Sequence, residues 1–121
     1  DFIVVAVDLN AESKALIGQS EFDDMQPHAV FVNIARGSVV DQQALIATLK
    51  AGKIFAAGLD VYAKEPLQES ELFHLDNVVT LPHVGSATAE TRKKMAELAY
   101  RNVVDALEGR TPPYIVNPVF S

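Results

Sequence analysis

The sequence predicts an α/β fold built on a mostly parallel sheet, and two observations carry this prediction. The first is a set of short apolar runs rich in β-branched residues, which are typical of strands buried on both faces. The second is a helical pattern between two of these runs, giving the strand, helix, strand order of a right-handed crossover. The four predicted strands are residues 1–7 (DFIVVAV), 28–35 (HAVFVNIA), 54–61 (IFAAGLDV) and 77–81 (NVVTL).

The helix of the crossover is predicted over residues 41–53, where apolar side chains recur at helical spacing. Asp41 is a suitable N-cap, because a carboxylate can accept hydrogen bonds from the first free amides of a helix. Gly52 is predicted as the C-cap. Strand, helix and strand are therefore all accounted for between residues 28 and 61.

A second, longer helix is predicted over residues 88–110, which form an amphipathic pattern. Thr88 is the predicted N-cap and Gly109 the predicted end. The last eleven residues, 111–121, contain three prolines and are expected to be extended. Because strands this apolar need more helices than the sequence supplies, we expect the chain to be the C-terminal part of a longer protein.

Composition excludes several classes of function. A formal net charge of -6 argues against binding to nucleic acid or to an anionic membrane. The absence of cysteine removes disulfides, thiolate metal sites and cysteine nucleophiles, and fits a reducing compartment. No apolar stretch approaches the roughly 20 residues of a membrane helix, and no metal-ligand spacing occurs. We therefore expect a cytoplasmic protein without a metal.

Four polar residues follow the apolar runs, and they are the candidates for chemistry. They are Arg36, Asp60, Glu65 and His83. Ligands of open parallel sheets bind at the carboxyl ends of the strands, so all four should lie along one edge.

Arg36 and Asp60 each allow two interpretations. Arg36 is either a surface residue paired with Asp41 or a guanidinium fork that clamps a substrate carboxylate through two hydrogen bonds. Asp60 is either a turn or cap residue or an acceptor for a nicotinamide amide or ribose.

Glu65 and His83 are most informative as a pair. Alone, each is more often a solvated or structural residue. Together, the carboxylate would orient the imidazole and keep a proton available near neutral pH for a carbonyl oxygen. A Ser-His-Asp hydrolase is a weaker interpretation, because no Gly-x-Ser-x-Gly motif is present.

Two segments, 33–67 (NIARGSVVDQQALIATLKAGKIFAAGLDVYAKEPL) and 75–92 (LDNVVTLPHVGSATAETR), closely resemble the D-isomer-specific 2-hydroxyacid dehydrogenases. Within that family the sequence is most similar to bacterial glyoxylate/hydroxypyruvate and 2-ketogluconate reductases. The resemblance implies that residues 1–86 are the second half of a Rossmann-like NAD(P)-binding domain. It implies that residues 87–121 are the connecting helix and C-terminal tail of a substrate-binding domain, and that the full-length protein is a homodimer.

The resemblance also implies an oxidoreductase with NAD or NADP as cofactor, which transfers a hydride from NADH or NADPH to C2 of a 2-oxo acid and gives a D-2-hydroxy acid. Arg36 would bind the oxo acid, His83 would be the general acid/base, and Glu65 would be its paired acid. The residues implied to contact the cofactor are Ser13, Ile34, Ala35, Arg36, Asp60, His83, Val84, Gly85 and Ser86.

Two departures from the family pattern stand out. Many relatives carry Pro-Leu-Thr where this chain has Asp8-Leu9-Asn10, which places a negative charge near the nicotinamide. The chain also has no Gly-x-Gly-x-x-Gly phosphate loop, so these residues alone should bind a dinucleotide poorly. The choice between NAD and NADP stays open. A non-catalytic, dinucleotide-sensing interaction module and an inactive fragment are the alternatives to an enzyme.

Overall fold

The structure is a computed structural model that describes residues 1–116, and it contains a four-stranded sheet. All neighbouring strands pair in parallel, in the order β1-β2-β3-β4. The predicted α/β class with a parallel sheet is confirmed. The strands are β1 (Phe2–Val5), β2 (Val30–Asn33), β3 (Ala56–Leu59) and β4 (Val78–Thr80), and the helices are α1 (Gln19–Asp23), α2 (Gln42–Lys50) and α3 (Ala89–Leu107).

All four strands are shorter than the apolar runs that predicted them. The difference arises at the ends of the runs, where the chain leaves the ladder. Some apolar residues there are buried, such as Ala35 and Ile54, whereas Ile34 and Phe55 are exposed. In register, Val5 lies beside Asn33, Asn33 beside Leu59, and Leu59 beside Thr80. The carboxyl ends of all four strands therefore lie along one edge of the sheet.

One face of the sheet is buried by the helices. Phe31 of β2 is fully buried and meets Phe22 of α1 edge to face, with ring centroids 5.2 Å apart. Leu45 and Leu49 of α2 belong to the same core cluster. Helix α1 was not predicted, because its five residues are too few to show a helical period.

The other face of the sheet is more open. Phe2, Val4 and Val79 point to this face and are 77%, 56% and 62% exposed. We expected strands buried on both faces. Within the described residues α1 and α2 contribute to the same core and cover one face, and the other face is open.

The predicted helix caps are largely confirmed. The Asp41 carboxylate accepts hydrogen bonds from the amides of Gln43 and Ala44 at 3.0 and 3.1 Å. Gly52 was predicted as the C-cap of α2, but the C-cap is Ala51, and Gly52 is the next residue, with a φ of +62°. Thr88 caps α3 by accepting a hydrogen bond from the amide of Thr91.

The chain divides into two compact units, Asp1–Gly85 and Ser86–Ser121. The first contains the sheet, α1, α2 and two short 3₁₀ turns, Gly37–Val39 and Glu71–His74. The second contains α3, and residues 111–116 that follow it have neither helix nor strand. The rest of the predicted extended tail, residues 117–121, lies outside the described residues. The assignment of residues 1–86 and 87–121 to two functional domains stays a prediction.

Candidate functional site

The predicted site residues follow three neighbouring strands at one edge of the sheet. Arg36 follows β2, Asp60 and Glu65 follow β3, and His83 follows β4. Parallel pairing in register brings these three loops side by side, although they are far apart in sequence. The edge therefore collects one cation, two carboxylates and one imidazole.

Glu65 and His83 are in direct contact. Nδ1 of His83 lies 2.8 Å from Oε2 of Glu65, and Oε1 of Glu65 accepts a hydrogen bond from the Tyr62 amide at 3.1 Å. The hydrogen bond with His83 lowers the pKa of the Glu65 carboxyl most strongly, and the Tyr62 amide and the charges of His83 and Arg36 lower it further. Glu65 is therefore ionised at neutral pH and fixes a proton on Nδ1, which leaves Nε2 as the ring nitrogen that can exchange a proton with a ligand.

The turn that carries His83 is held by Asp60. His83 has a φ of +55°, a left-handed conformation that is uncommon for a residue with a side chain. Just after it, the amides of Val84 and Gly85 donate to the two oxygens of the buried Asp60 carboxylate at 2.8 and 2.9 Å. Both oxygens of Asp60 thus contact the backbone of the histidine turn, which supports the turn interpretation of this residue.

Arg36 lies in a turn that is stabilised by the side chain of the buried Asn33. Oδ1 of Asn33 accepts a hydrogen bond from the Ala35 amide at 3.0 Å, and its Nδ2 donates to the Arg36 carbonyl at 3.3 Å. The exposed Arg36 guanidinium donates from Nη1 to the Ala35 carbonyl at 2.7 Å, whereas the Asp41 carboxylate caps α2. Sequence reasoning missed Asn33, although a polar residue within an apolar run is a usable signal.

The Arg36 turn and the Glu65 loop pack backbone against backbone at Gly37. A Cβ atom at position 37 would lie 1.8 Å from the carbonyl carbon of Tyr62 and 2.4 Å from the amide nitrogen of Ala63. Only glycine permits this approach, so it sets the distance between the two loops.

A cleft of about 600 Å³ lies at the carboxyl ends of β1 and β2. Its lining includes Ile34, Ala35 and Arg36, three residues predicted to contact a cofactor, together with Asp8 and Leu9 of the loop that departs from the family pattern. Ile34 is 54% exposed and offers an apolar surface to a flat ring. The cleft thus brings a third of the predicted cofactor residues next to the altered loop.

The remaining predicted cofactor residues have local roles in the structure. Ser13 is buried, and its hydroxyl donates to the Asp8 carbonyl at 2.5 Å and accepts from the Asn10 amide at 2.9 Å. Val84 and Gly85 give their amides to Asp60, and Ser86 is exposed at the start of the second unit. Their contacts with a cofactor stay predictions.

Residues 1–116 contain neither a side-chain cluster suited to a metal ion nor a helix that could cross a membrane. No group of three or more His, Cys, Asp or Glu side chains in this range is arranged to hold a metal ion. No helix in the same range is both long enough and apolar enough to span a membrane.

Comparisons of sequence and of structure with known proteins agree on one family. The family described as D-isomer specific 2-hydroxyacid dehydrogenase, NAD binding domain, matches residues 1–85. The chain is 52% identical to glyoxylate/hydroxypyruvate reductase B of Klebsiella pneumoniae over 119 residues. The aligned residues make up 98% of this chain and 37% of that protein. The chain therefore spans little more than a third of the length of this relative.

Two solved structures are similar over most of the chain. The D-lactate dehydrogenase of Lactobacillus jensenii with NAD+ has a TM-score of 0.85 at 28% identity, over 97% of this chain and 39% of the other. The NADPH-dependent glyoxylate/hydroxypyruvate reductase of Sinorhizobium meliloti, in complex with NADP and malonate, has a TM-score of 0.83 at 36% identity, over 88% of this chain and 34% of the other. The chain belongs to the D-isomer specific 2-hydroxyacid dehydrogenase family.

Proposed function

We propose that the protein carrying this sequence is an oxidoreductase that reduces a 2-oxo acid to a D-2-hydroxy acid with NADH or NADPH. The observation that carries the proposal is the 2.8 Å contact between Glu65 and His83, on the edge of the sheet that also holds Arg36. An imidazole oriented by a carboxylate, on the same edge as a guanidinium, suits a substrate with a carboxylate next to a carbonyl.

Each of the three side chains has one task in this reaction. The nicotinamide cofactor, when bound, supplies a hydride to C2 of the oxo acid. Arg36 binds the substrate carboxylate and thereby decides which face of the carbonyl is presented. Nε2 of His83 donates a proton to the carbonyl oxygen as negative charge grows there, and Glu65 stabilises the imidazolium before transfer. In the oxidative direction, neutral His83 accepts the hydroxyl proton.

The cleft at β1 and β2 supports a place for the nicotinamide end of the cofactor. It lies at the carboxyl ends of parallel strands, where dinucleotides bind in folds of this class, and Ile34 gives it an apolar wall. We assign Ile34, Ala35 and Arg36 to this contact and propose that NAD or NADP is the cofactor. Asp60 would act chiefly through the His83 turn.

The relatives favour glyoxylate or hydroxypyruvate as substrate, because the Klebsiella and Sinorhizobium proteins carry those names. The sequence resemblance adds 2-ketogluconate. A cytoplasmic location and a homodimer are part of the same proposal.

The test uses the protein as its source cell makes it, after its intact mass has been compared with the 13.1 kDa of this chain. Consumption of NADH and NADPH is followed by absorbance with glyoxylate, hydroxypyruvate, 2-ketogluconate and pyruvate. We expect turnover of at least one of these acids, and a loss on the order of 10²-fold in His83→Ala with little change in cofactor affinity. Cofactor binding without turnover of any acid would refute the enzyme and favour the dinucleotide-sensing module.

A further inference from the structure

Tyr62 is a buried residue that both the catalytic scheme and the sequence reasoning leave without a role. It lies two residues after Asp60 and is only 7% exposed. Its hydroxyl is 2.8 Å from the Leu81 carbonyl oxygen and 3.0 Å from the Leu59 carbonyl oxygen. Burial raises the pKa of the Tyr62 phenol, so it keeps its proton and is a hydrogen-bond donor at neutral pH. The donor ties the end of β3 to the segment that leads into His83.

The backbone of Tyr62 holds the other member of the pair. Its amide donates to Oε1 of Glu65 at 3.1 Å, while Oε2 of the same carboxylate contacts His83. One oxygen of Glu65 is thus fixed by Tyr62 and the other is directed at the imidazole.

The same residue also contacts the Arg36 turn. The carbonyl group of Tyr62 lies against the backbone of Gly37, closely enough that a Cβ atom there would be 2.0 Å from its oxygen. Three loops that carry Arg36, Glu65 and His83 therefore meet at Tyr62.

We infer that Tyr62 is a positioning residue, whose hydroxyl holds the Leu81 carbonyl and thereby keeps His83 in reach of Glu65. This inference rests on the proposed function for its effect on turnover. Leu81 is two residues before His83, with only Pro82 between them, so a shift of its carbonyl is passed directly to the histidine turn. The backbone contact with Glu65 does not depend on the phenol, so removal of the hydroxyl displaces one partner and leaves the other in place.

The test is Tyr62→Phe in the natural-length protein, because this change removes the hydroxyl and keeps the ring. We expect kcat to fall about tenfold, the effect of one lost hydrogen bond, with little change in KM for the oxo acid or the cofactor. The matched control is Tyr100→Phe, which removes a hydroxyl from a side chain that is 72% exposed on α3 and should leave kcat unchanged. Assays are run well below the melting temperature of each variant.

A double-mutant cycle separates positioning from a general loss of stability. If Tyr62 acts through His83, Tyr62→Phe should have little further effect on the residual turnover of His83→Ala. An unchanged kcat in Tyr62→Phe, or an equal loss in both backgrounds, would overturn the inference.

A second measurement does not need turnover. Solvent exchange of the His83 Nδ1 proton, followed by NMR, should be faster in Tyr62→Phe than in the natural protein, because the hydrogen bond to Glu65 is loosened, and should be unchanged in Tyr100→Phe. Equal exchange in all three proteins would contradict the positioning role. If the natural protein turns over no oxo acid, the proposed function fails, and this measurement still judges Tyr62.

Discussion

Gly37→Ala is the substitution for which the structure gives the most definite expectation. The new Cβ atom would lie 1.8, 2.0 and 2.4 Å from three backbone atoms of residues 62 and 63. Because those atoms are backbone, no rotation of a side chain can relieve the contact. The two loops have to separate by about 1.6 Å before the nearest atom reaches an ordinary contact distance of 3.4 Å.

Gly37→Ala should lower both the stability of the fold and the turnover. Inserting a methyl group into a closely packed contact costs about 1–3 kcal/mol of unfolding free energy. A displacement of about 1 Å between a substrate clamp and a proton donor costs on the order of 10²-fold in turnover. We therefore expect Gly37→Ala to lower kcat/KM on the order of 10²-fold, equivalent to about 2.7 kcal/mol of activation free energy, because Arg36 moves away from Glu65 and His83. The loss of unfolding free energy should be of comparable size.

Gly58→Ala is the matched control. Gly58 is in β3 of the same sheet, and its added Cβ would meet only the Cγ2 atom of Val32 at an ordinary 3.8 Å. Urea unfolding and steady-state kinetics are compared for the two alanine variants and the natural-length protein. If Gly37→Ala matches Gly58→Ala in both stability and kcat/KM, the close approach of the two loops does not control the site.

Three other substitutions test the site. Arg36→Lys should raise KM for the oxo acid more than it changes cofactor affinity, since an ammonium cannot reproduce the guanidinium fork; initial-rate kinetics check this, and an unchanged KM removes Arg36 from substrate binding. The hydrogen bond with His83 lowers the pKa of Glu65 in the folded protein. The pair therefore stabilises the fold at and above the ordinary titration range of a glutamate, and this stabilisation is lost as the pH falls through the lowered pKa. The stability advantage over Glu65→Gln in thermal unfolding should therefore persist into mildly acidic solution and then disappear; an advantage independent of pH would contradict the ion pair. In Asp60→Asn, an NH2 group replaces one of the two oxygens that accept hydrogen bonds from the turn amides. Urea unfolding should therefore show a loss of about 1–3 kcal/mol in unfolding free energy. An unchanged unfolding free energy would mean that the turn does not need both oxygens.

The position of the site could be predicted from the sequence because it depends on local signals. An apolar run that ends in a polar residue marks the carboxyl end of a strand, and parallel pairing places all such ends together. This rule identifies Arg36, Glu65 and His83 from the sequence. The caps Asp41 and Thr88 were found from helix-start patterns that span only a few residues.

The contacts that orient these side chains could not be predicted in the same way. Asp60 reaches amides 24 and 25 residues away, and the Tyr62 hydroxyl reaches a carbonyl 19 residues away. No local pattern records such distances, because they follow from how three loops pack. The close approach of Gly37 to Tyr62 could not be predicted either. In the sequence, a glycine after an arginine predicts a turn and gives no sign of a contact between two loops.

The edge position of β4 has a consequence for the folding of the molecule. This strand has three residues, all half-buried or exposed, and pairs only with β3 within the described chain. Strands at the periphery with little buried surface open first in local unfolding. His83 follows that strand, so fraying of a single edge separates the imidazole from Glu65 while the core around Phe31 is still intact. The contact between Glu65 and His83 therefore depends on an edge strand that can open without loss of the core.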